Sequence, residues 1–456
     1  MNNRAILNLL RRYESRNVTF LDPDGSWPIV WERAKGVHVW DAQRRRYLDL
    51  TAGFGVAAAG HANPNVVNAG RKQMGRLLHA MGDVHPHAGK ARLARELSRI
   101  TFERWGRDAS PARQNPRSTA AAAGKVIFCN SGFEAVEAAL KTAALLTGKP
   151  GVIAFEGAYH GLGYGSLNAT HRHHFRGPFL SQLRNFGHFV PFPGSACAQP
   201  AGPSLKSIEA QIEKLFQTKK IGAVLVEPVQ VRGGIHVPPT EFLPMLRHLS
   251  RNHDAVLILD EIYTGFGRTG KWFACEHSKV IPDLICLGKA LTGGFPLSAC
   301  VGRSDLMDRA WPASTGEAIH TSTFLGHPVG CAMALAQIDE IRRLGLVERS
   351  ASAGAYLLKL LQSQFAVPVR GLGLLAGLEL RSPDGSPAGP RCMRAIKSML
   401  HQGFILLPEG EHGNVISFTP PLTISKPQLQ SAVKALAQAL SRNYSKKTSI
   451  TTDEHP

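Results

Sequence analysis

The chain has 456 residues, of which 43% are hydrophobic and 19% are charged. This length and balance are those of a soluble globular protein with one or two cores, and they exclude a small domain that depends on disulfide bridges. The sequence has no apolar run near the roughly 18 residues that a membrane-spanning helix needs, so we expect no membrane partner.

The formal net charge of +19 raises the question of nucleic-acid binding, because a positive surface attracts polyanions. The basic residues form short scattered clusters, such as Arg44 to Arg46, which favours solvated faces over a dedicated binding stripe. We therefore do not expect nucleic acid as a partner.

The seven cysteines show no paired CxxC spacing, so we expect reduced thiols and no metal site. The N-terminal segment MNNRAILNLLRRYESR lacks the apolar core of a secretory signal, which predicts a cytoplasmic location.

The predicted elements begin with residues 37–50, whose alternating apolar and polar positions around a turn indicate a β-hairpin in a small N-terminal layer. From about residue 88 to 445, short apolar runs alternate with segments of helical period, which is typical of an α/β fold with a mostly parallel sheet. The stretches 107–123 and 194–204 lack apolar periodicity and are predicted to be surface insertions. The tail from Tyr444 onwards has little to bury and is predicted to be disordered.

Five short apolar runs each predict a buried strand. They are Val126–Cys129, Val152–Phe155, Ala223–Val226, Ala255–Leu259 and Leu284–Leu287. Just after the five runs come Asn130-Ser131-Gly132, Tyr159-His160-Gly161, Glu227-Pro228, Asp260-Glu261 and Gly288-Lys289. Ligands of an open α/β sheet bind at the carboxyl ends of its strands. The five runs therefore predict one ligand site at that edge.

The glycine turn Asn130-Ser131-Gly132 leads into FEAVEAALKTAALL, a run of good helix formers. Free backbone N–H groups at such a helix start suit a phosphate. Asp260 and Lys289 make the signal specific: a carboxylate keeps a pyridoxal ring nitrogen protonated, and an amine forms an imine with the cofactor aldehyde and then moves protons.

In these residues and in the order of its motifs, the chain resembles the class III aminotransferases, the group that contains the ornithine, acetylornithine and 4-aminobutyrate enzymes. The match runs from about Gly36 to Leu440 through the ordered motifs GVHVWD, NSGFEAVEAALK, FEGAYHG, VEPVQ, LILDEIYTGFGRTG, LGKALTGGFPLSA, HTSTFLGHP and FTPPLTI. The resemblance implies the fold type I α/β architecture, with a large cofactor domain at 61–330 and a smaller α+β domain built from 1–60 and 331–445. The tail 446–456 lies outside both domains. The implied reaction moves an amino group from an amine or amino acid to a keto acid or aldehyde in two half-reactions.

The resemblance also implies residue roles toward pyridoxal 5'-phosphate. Ser131, Gly132 and the backbone of Phe133 would hold the phosphate, Tyr159 and Ile262 would cover the two ring faces, and Asp260 would pair with the ring nitrogen. Lys289 would form the imine, and Glu227 would support the site from beside the ring. Tyr263 stands where relatives often have a glutamine that contacts the phenolic oxygen, and a tyrosine hydroxyl could still donate there. Thr323 would reach the phosphate of a neighbouring subunit, which implies a homodimer with shared active sites.

This chain departs from the family at the groups that read a substrate carboxylate. Ser417 stands where many relatives carry an arginine, Leu162 replaces a second arginine, and Arg232 stands where some relatives have a glutamate. Because a hydroxyl cannot replace a bidentate guanidinium, we expect an ω-amine, amino sugar or aminoketone donor, or a carboxylate that Arg232 reads from a new side. Phe54, Arg232 and Ser417 are the candidate substrate residues.

Two alternatives remain open on the sequence. An aminomutase like glutamate-1-semialdehyde aminomutase would use the same cofactor residues to move the amine within one molecule. A non-catalytic, cofactor-binding regulator would use the positive surface to hold a polyanion.

Overall fold

The computed structural model describes residues 1–22, 25–108, 123–194 and 203–448, with the side chains of 442–448 left aside. Its helices are α1 Asn3–Tyr13, α2 Ala52–Gly55, α3 Pro64–Arg76, α4 Ala88–Ile100, α5 Phe102–Asp108, α6 Gly132–Thr147, α7 Tyr164–Ala169, α8 His173–Arg176, α9 Leu205–Thr218, α10 Phe242–Asn252, α11 Ser304–Ala310, α12 Pro328–Arg343, α13 Leu346–Gln364, α14 Gly389–His401 and α15 Lys426–Thr448. Its strands are β1 Trp31–Lys35, β2 His38–Asp41, β3 Arg46–Asp49, β4 Gly124–Cys129, β5 Gly151–Phe155, β6 Gly187–Val190, β7 Ile221–Val226, β8 Val256–Asp260, β9 Leu284–Leu287, β10 Ser298–Arg303, β11 Val369–Gly371, β12 Ala376–Glu379, β13 Phe404–Ile405, β14 Leu407–Glu409 and β15 Val415–Phe418.

The central sheet contains seven strands in the order β4-β10-β9-β8-β7-β5-β6. All five predicted strands are confirmed, and β6 and β10 join them. Only β10 runs antiparallel to its neighbours, so the predicted mostly parallel α/β architecture is confirmed.

Alternation along each strand explains why helices cover both faces of this sheet. On β8, Leu257 and Leu259 pack into the core on the side of α4, α10 and α12, whereas Val256 and Ile258 face α6. Successive side chains of a strand point to opposite faces. Each fully buried leucine contributes about 1.5–3 kcal/mol to folding.

Two four-stranded sheets accompany the central one, in the orders β1-β2-β3-β13 and β11-β12-β15-β14. The hairpin predicted at 37–50 is confirmed by the antiparallel pairing of His38 with Leu48. Strand β13 pairs in parallel with β3 through Phe404 and Leu48, so strands from the two ends of the chain build one sheet.

The structure moves two predicted boundaries. Helix α15 continues to Thr448, past Tyr444, where the predicted tail begins. Helix α5 reaches Asp108, inside the insertion predicted at 107–123. Residues 109–122 of that insertion, residues 195–202 of the second stretch and residues 449–456 lie outside the described residues.

Among the residues that the structure describes, none of the helices is both long and apolar enough to cross a membrane. The same residues contain no group of three His, Cys, Asp or Glu side chains that could hold a metal ion.

Candidate active site

A cavity of about 410 Å³ lies at the carboxyl edge of the central sheet. Its lining comprises Gly132, Phe133, Tyr159, His160, Gly161, Leu162, Glu227, Arg232, Asp260, Ile262, Tyr263 and Lys289. The residues that follow β4, β5, β7, β8 and β9 therefore meet in one place, as the sheet-edge argument predicted.

The first wall of the cavity is the N-terminus of α6, a helix of 16 residues. The Glu134 carboxylate accepts hydrogen bonds from the backbone N–H groups of Asn130, at 2.6 Å, and Ser131, at 3.3 Å. The Ser298 hydroxyl donates to the Ser131 carbonyl at 2.5 Å. The buried Ser131 hydroxyl faces the Glu134 backbone N–H in a capping box but makes no hydrogen bond of normal geometry to the described residues, so a polar group lies beside the positive end of the helix dipole.

Two glycines allow this wall to approach its neighbours. A Cβ on Gly132 would lie 3.0 Å from Ile262 Cδ1. Gly161 has φ +107°, and a Cβ there would overlap Phe133 Cβ. Position 161 therefore requires glycine, whereas a Cβ at position 132 would press on the end of the Ile262 side chain.

Asp260 ends β8 and is 5% exposed. Its carboxylate accepts from the Ile262 backbone N–H at 3.1 Å and from His160 Nδ1 at 2.7 Å. The second ring nitrogen of His160 is buried and has no partner among the described residues. Sequence reasoning missed His160: the motif Tyr159-His160-Gly161 placed it at this edge, but its partner lies 100 residues away.

Glu227 directly follows β7 and holds the backbone beside the cavity. Its two oxygens accept from the N–H groups of Tyr159, at 3.1 Å, and Val231, at 3.3 Å. Burial, reinforced by Asp260 and opposed by His160, raises the pKa of Glu227 to about 7. Glu227 therefore fixes the position of Tyr159 through main-chain contacts.

Lys289 follows β9 with φ +33°, a left-handed conformation that is uncommon outside glycine. Its Nζ lies 4.5 Å from the centroid of the Tyr263 ring. Burial lowers the pKa of the Lys289 amine, although Asp260 and Glu227 oppose the shift. A lowered pKa favours the neutral amine, which can act as a nucleophile or a base.

The Tyr263 hydroxyl lies 3.3 Å from Thr419 Oγ1. Burial raises the pKa of Tyr263 to about 12, so its hydroxyl keeps its proton at neutral pH and can serve as a donor.

Arg232 lines the opposite side of the cavity. Its guanidinium carbon lies 5.5 Å from the centroid of the Tyr159 ring, and its Nη1 lies 3.4 Å from Glu409 Oε2. Sequence reasoning missed Glu409, because nothing local to β14 indicates that this strand passes behind the 232 loop.

Three predicted residues lie outside this cavity in the single chain. Phe54 is 53% exposed and lines a separate apolar cavity of about 230 Å³ with Trp27 and Trp31. Ser417 is buried within β15, and Thr323 is exposed.

The residues present fit pyridoxal phosphate. The Ser131 hydroxyl and the α6 N-terminus suit a phosphate. The Asp260 carboxylate suits a protonated ring nitrogen, and the Lys289 amine suits an aldehyde. The lining also provides the aromatic face of Tyr159 and the apolar side chain of Ile262, which suit the two faces of a flat ring.

The comparisons with known proteins agree with this geometry. Residues 21–440 match the family model of the class-III aminotransferases. The chain is 34% identical to an acetylornithine aminotransferase of Methanosarcina mazei over 91% of this chain and 92% of that protein. It is also 34% identical to a 5-aminovalerate aminotransferase of Pseudomonas aeruginosa over 90% of this chain and 93% of that protein.

The structure superposes on an amine transaminase from an uncultivated Pseudomonas species, solved in its PLP-bound form, with a TM-score of 0.82 and 28% identity. That alignment covers 94% of this chain and 98% of the other. These relatives favour transamination over the aminomutase and regulator alternatives. The chain belongs to the class-III aminotransferases and is a pyridoxal-phosphate-dependent transaminase of fold type I.

Proposed function

We propose that the cavity at the carboxyl edge of the central sheet is the transamination site, with Lys289 and Asp260 as its catalytic residues. The observation that carries this proposal is that an amine with a lowered pKa, a buried carboxylate and the free N-terminus of α6 line the same cavity. Perturbed titratable groups that converge in a cavity are typical of catalytic sites.

Bound pyridoxal phosphate supplies an aldehyde for the donor amine and a ring that withdraws electrons from the reacting carbon. Lys289 Nζ would move a proton from the donor carbon to the cofactor carbon in the first half-reaction, and from the cofactor carbon to the acceptor carbon in the second. Asp260, held by His160 and the Ile262 backbone, would keep the ring nitrogen protonated. The donor is an amine or amino acid, and the acceptor is a keto acid or aldehyde.

The remaining residues would bind and orient the cofactor. Ser131, Gly132 and the Phe133 backbone would hold its phosphate. Tyr159 and Ile262 would cover its faces, with Glu227 fixing Tyr159 through the backbone. Tyr263 would donate to the phenolic oxygen, a role supported by a pKa of about 12.

We also propose a homodimer with shared active sites. Support comes from a cluster of exposed apolar side chains, which we call the apolar patch and define as Leu77, Leu78, Met81, Val84 and Phe324. Exposed patches of large apolar residues mark interaction sites. Thr323 is exposed beside Phe324, so a second copy that covered the patch would receive Thr323.

We further propose a cytoplasmic enzyme whose partners are small molecules rather than nucleic acid. The six cysteines that the structure describes are free and buried, which fits a reducing compartment. The proposed domains, 1–60 with 331–445 and 61–330, follow the sheets, because β13 pairs with β3 while β4 to β10 build the central sheet.

An absorbance spectrum of the purified enzyme, before and after a panel of amines and amino acids, tests the site assignment. We expect a cofactor band in the wild type that particular donors bleach. Lys289→Ala should lack the covalent cofactor band and show no bleaching. Lys125→Ala, at the opposite end of β4, should behave like the wild type. Bleaching that survives in Lys289→Ala at the wild-type rate would remove Lys289 from the catalytic role.

A further inference from the structure

Two arginines bracket an aromatic pair beside the cavity. Arg232 lies over the Tyr159 ring at 5.5 Å, and Arg172 lies over the Phe175 ring at 5.3 Å. The two rings contact each other edge to face, with their centroids 5.4 Å apart. Aromatic faces attract guanidinium groups, so each ring helps to position its arginine without adding a negative charge.

Glu409 is the acidic partner of Arg232, and the two differ in access. The Arg232 side chain is 29% exposed, whereas that of Glu409 is 2% exposed. Arg232 lines the cavity, and Glu409 does not. A ligand in the cavity therefore meets the cation first and the carboxylate only behind it.

The pairing of Arg232 with Glu409 is loose. The 3.4 Å between Nη1 and Oε2 exceeds the roughly 2.7–2.9 Å of a charge-assisted hydrogen bond. A planar guanidinium carries five N–H donors and can form two parallel hydrogen bonds to one carboxylate. The guanidinium can therefore bind a second carboxylate or exchange Glu409 for it.

The backbone below this side chain is fixed. The Gly410 N–H donates to the Arg232 carbonyl at 3.2 Å. Arg370 donates to the carbonyls of Gly234, at 2.5 Å, and Ile235, at 2.8 Å, and it forms a buried ion pair with Glu379. Arg232 thus combines a main chain held by hydrogen bonds with a partly exposed guanidinium, which suits the positioning of a ligand.

The charges around Glu409 favour an incoming anion. Burial raises the pKa of Glu409 to about 7, and Arg232, Arg172 and Lys289 oppose the shift. Arg232 and Arg172 both act on Glu409 as cations, and the neighbouring Glu411 partly offsets Arg172. A carboxylate in the cavity would be attracted by Arg232, whereas a distal ammonium group would be repelled by it.

We propose that Arg232, assisted by Arg172, binds a carboxylate of the substrate, and that this carboxylate replaces Glu409 on the guanidinium. The substrate class is amino acids and the matching oxo acids, in preference to simple amines and diamines. This inference rests on the proposed function of the cavity. Glu409 is a positioning residue that holds Arg232 toward the cavity while no carboxylate is bound.

The test compares donors that differ only in a carboxylate: 5-aminovalerate against pentylamine, and L-alanine against isopropylamine. In Arg232→Gln we expect KM to rise for the donor that carries the carboxylate, in at least one of the two pairs. The rise should exceed that of its methyl partner by about 10–100-fold, because a hydrogen bond to a charged group contributes about 1.5–3 kcal/mol. The kcat of that donor should change much less, since the reacting atoms are untouched. Arg172→Gln should give a smaller rise, and Arg176→Gln, whose guanidinium lies over Phe189 outside the cavity lining, should give none.

Glu409→Gln provides a test of opposite sign, because it removes the competitor for Arg232 while preserving size. We expect KM for the same carboxylate donor to fall about threefold or more, since a pair that is partly open to solvent contributes up to about 1 kcal/mol. Equal changes within both pairs in Arg232→Gln would overturn the proposal. So would a selective loss of putrescine turnover in Glu409→Gln, which would make Glu409 a diamine reader. Absence of a cofactor band in the wild type would instead defeat the proposed function itself.

Discussion

The buried contact between His160 and Asp260 lies at the base of the cavity. The proposed role of Asp260 is to pair with a protonated ring nitrogen, and burying a carboxylate costs free energy unless hydrogen bonds satisfy its oxygens. His160 Nδ1 and the Ile262 N–H supply two such bonds, at 2.7 and 3.1 Å. Lys289 differs from Asp260, because burial lowers the pKa of its amine and so favours the neutral form, which can act as a nucleophile or a base.

His160→Phe keeps an aromatic ring but removes the hydrogen bond to Asp260. We predict that this variant binds the cofactor more weakly and reacts more slowly with the amino donor, each by about 10–100-fold, because a hydrogen bond to a charged group contributes about 1.5–3 kcal/mol. Stopped-flow absorbance and cofactor titration measure both quantities. His160→Asn, whose side-chain amide can stand in for Nδ1–H, should recover part of the loss. Equal losses in the two variants would contradict the role of this hydrogen bond.

At the scale of elements, the start of α6 and the loop after β5 depend on each other. The loop passes so close to Phe133 that position 161 has no room for a Cβ, and its φ of +107° also demands glycine. Phe133 is the second residue of α6, next to the Ser131 hydroxyl. Packing of the loop therefore fixes the proposed phosphate cradle.

We predict that Gly161→Ala raises the dissociation constant for the cofactor by about tenfold or more, because the new methyl group displaces Phe133 and its backbone. Gly148→Ala is the matched control: it ends the same helix with φ +63° and has open space around its Cβ position. That variant should lose about 1–2 kcal/mol of unfolding free energy through backbone strain alone. Equal cofactor affinity in both variants would rule out the coupling.

For the whole molecule, the distribution of exposed apolar surface is uneven. The apolar patch gathers five large side chains, each between 39% and 60% exposed, whereas the core of the central sheet is fully covered. In a dimer with a twofold axis, the apolar patch of one subunit would be buried against the same patch, or the surface next to it, on the other subunit. Thr323 would then lie at the interface instead of in solvent.

A mixing experiment tests the shared site. We predict that Thr323→Asp inactivates the enzyme by repelling the cofactor phosphate. Unfolding and refolding it in a 1:1 mixture with Lys289→Ala should restore roughly a quarter of wild-type activity. Half of a random dimer population is mixed, and one of the two sites in each mixed dimer has both an intact lysine and an intact threonine. Ser322→Asp, an exposed neighbour, serves as the control and should remain active alone. No recovery on mixing would mean that Thr323 does not act across subunits.

The sequence by itself determined the five central strands, the sheet edge at which the proposed site lies, and the pairing of Asp260 with Lys289 as the proposed catalytic residues. These features are local: buried strands appear as continuous apolar runs, and the proposed catalytic residues lie at or just after the strand ends. The motif series then led to the class-III family, whose model matches residues 21–440. Strand β10 escaped prediction, because SACVGR contains polar and small residues that give no apolar run.

Only the tertiary structure decided which side chains meet across long separations in the chain. The contacts between His160 and Asp260 and between Arg232 and Glu409 join residues from different crossovers, and neither partner carries a local signal for the other. The tertiary structure also placed Ser417 inside β15 rather than in the cavity lining and gave Arg232 a buried acidic partner. The physical reason is that strand periodicity is encoded residue by residue, whereas the charge balance of a cavity depends on how separate loops and strands pack against one another.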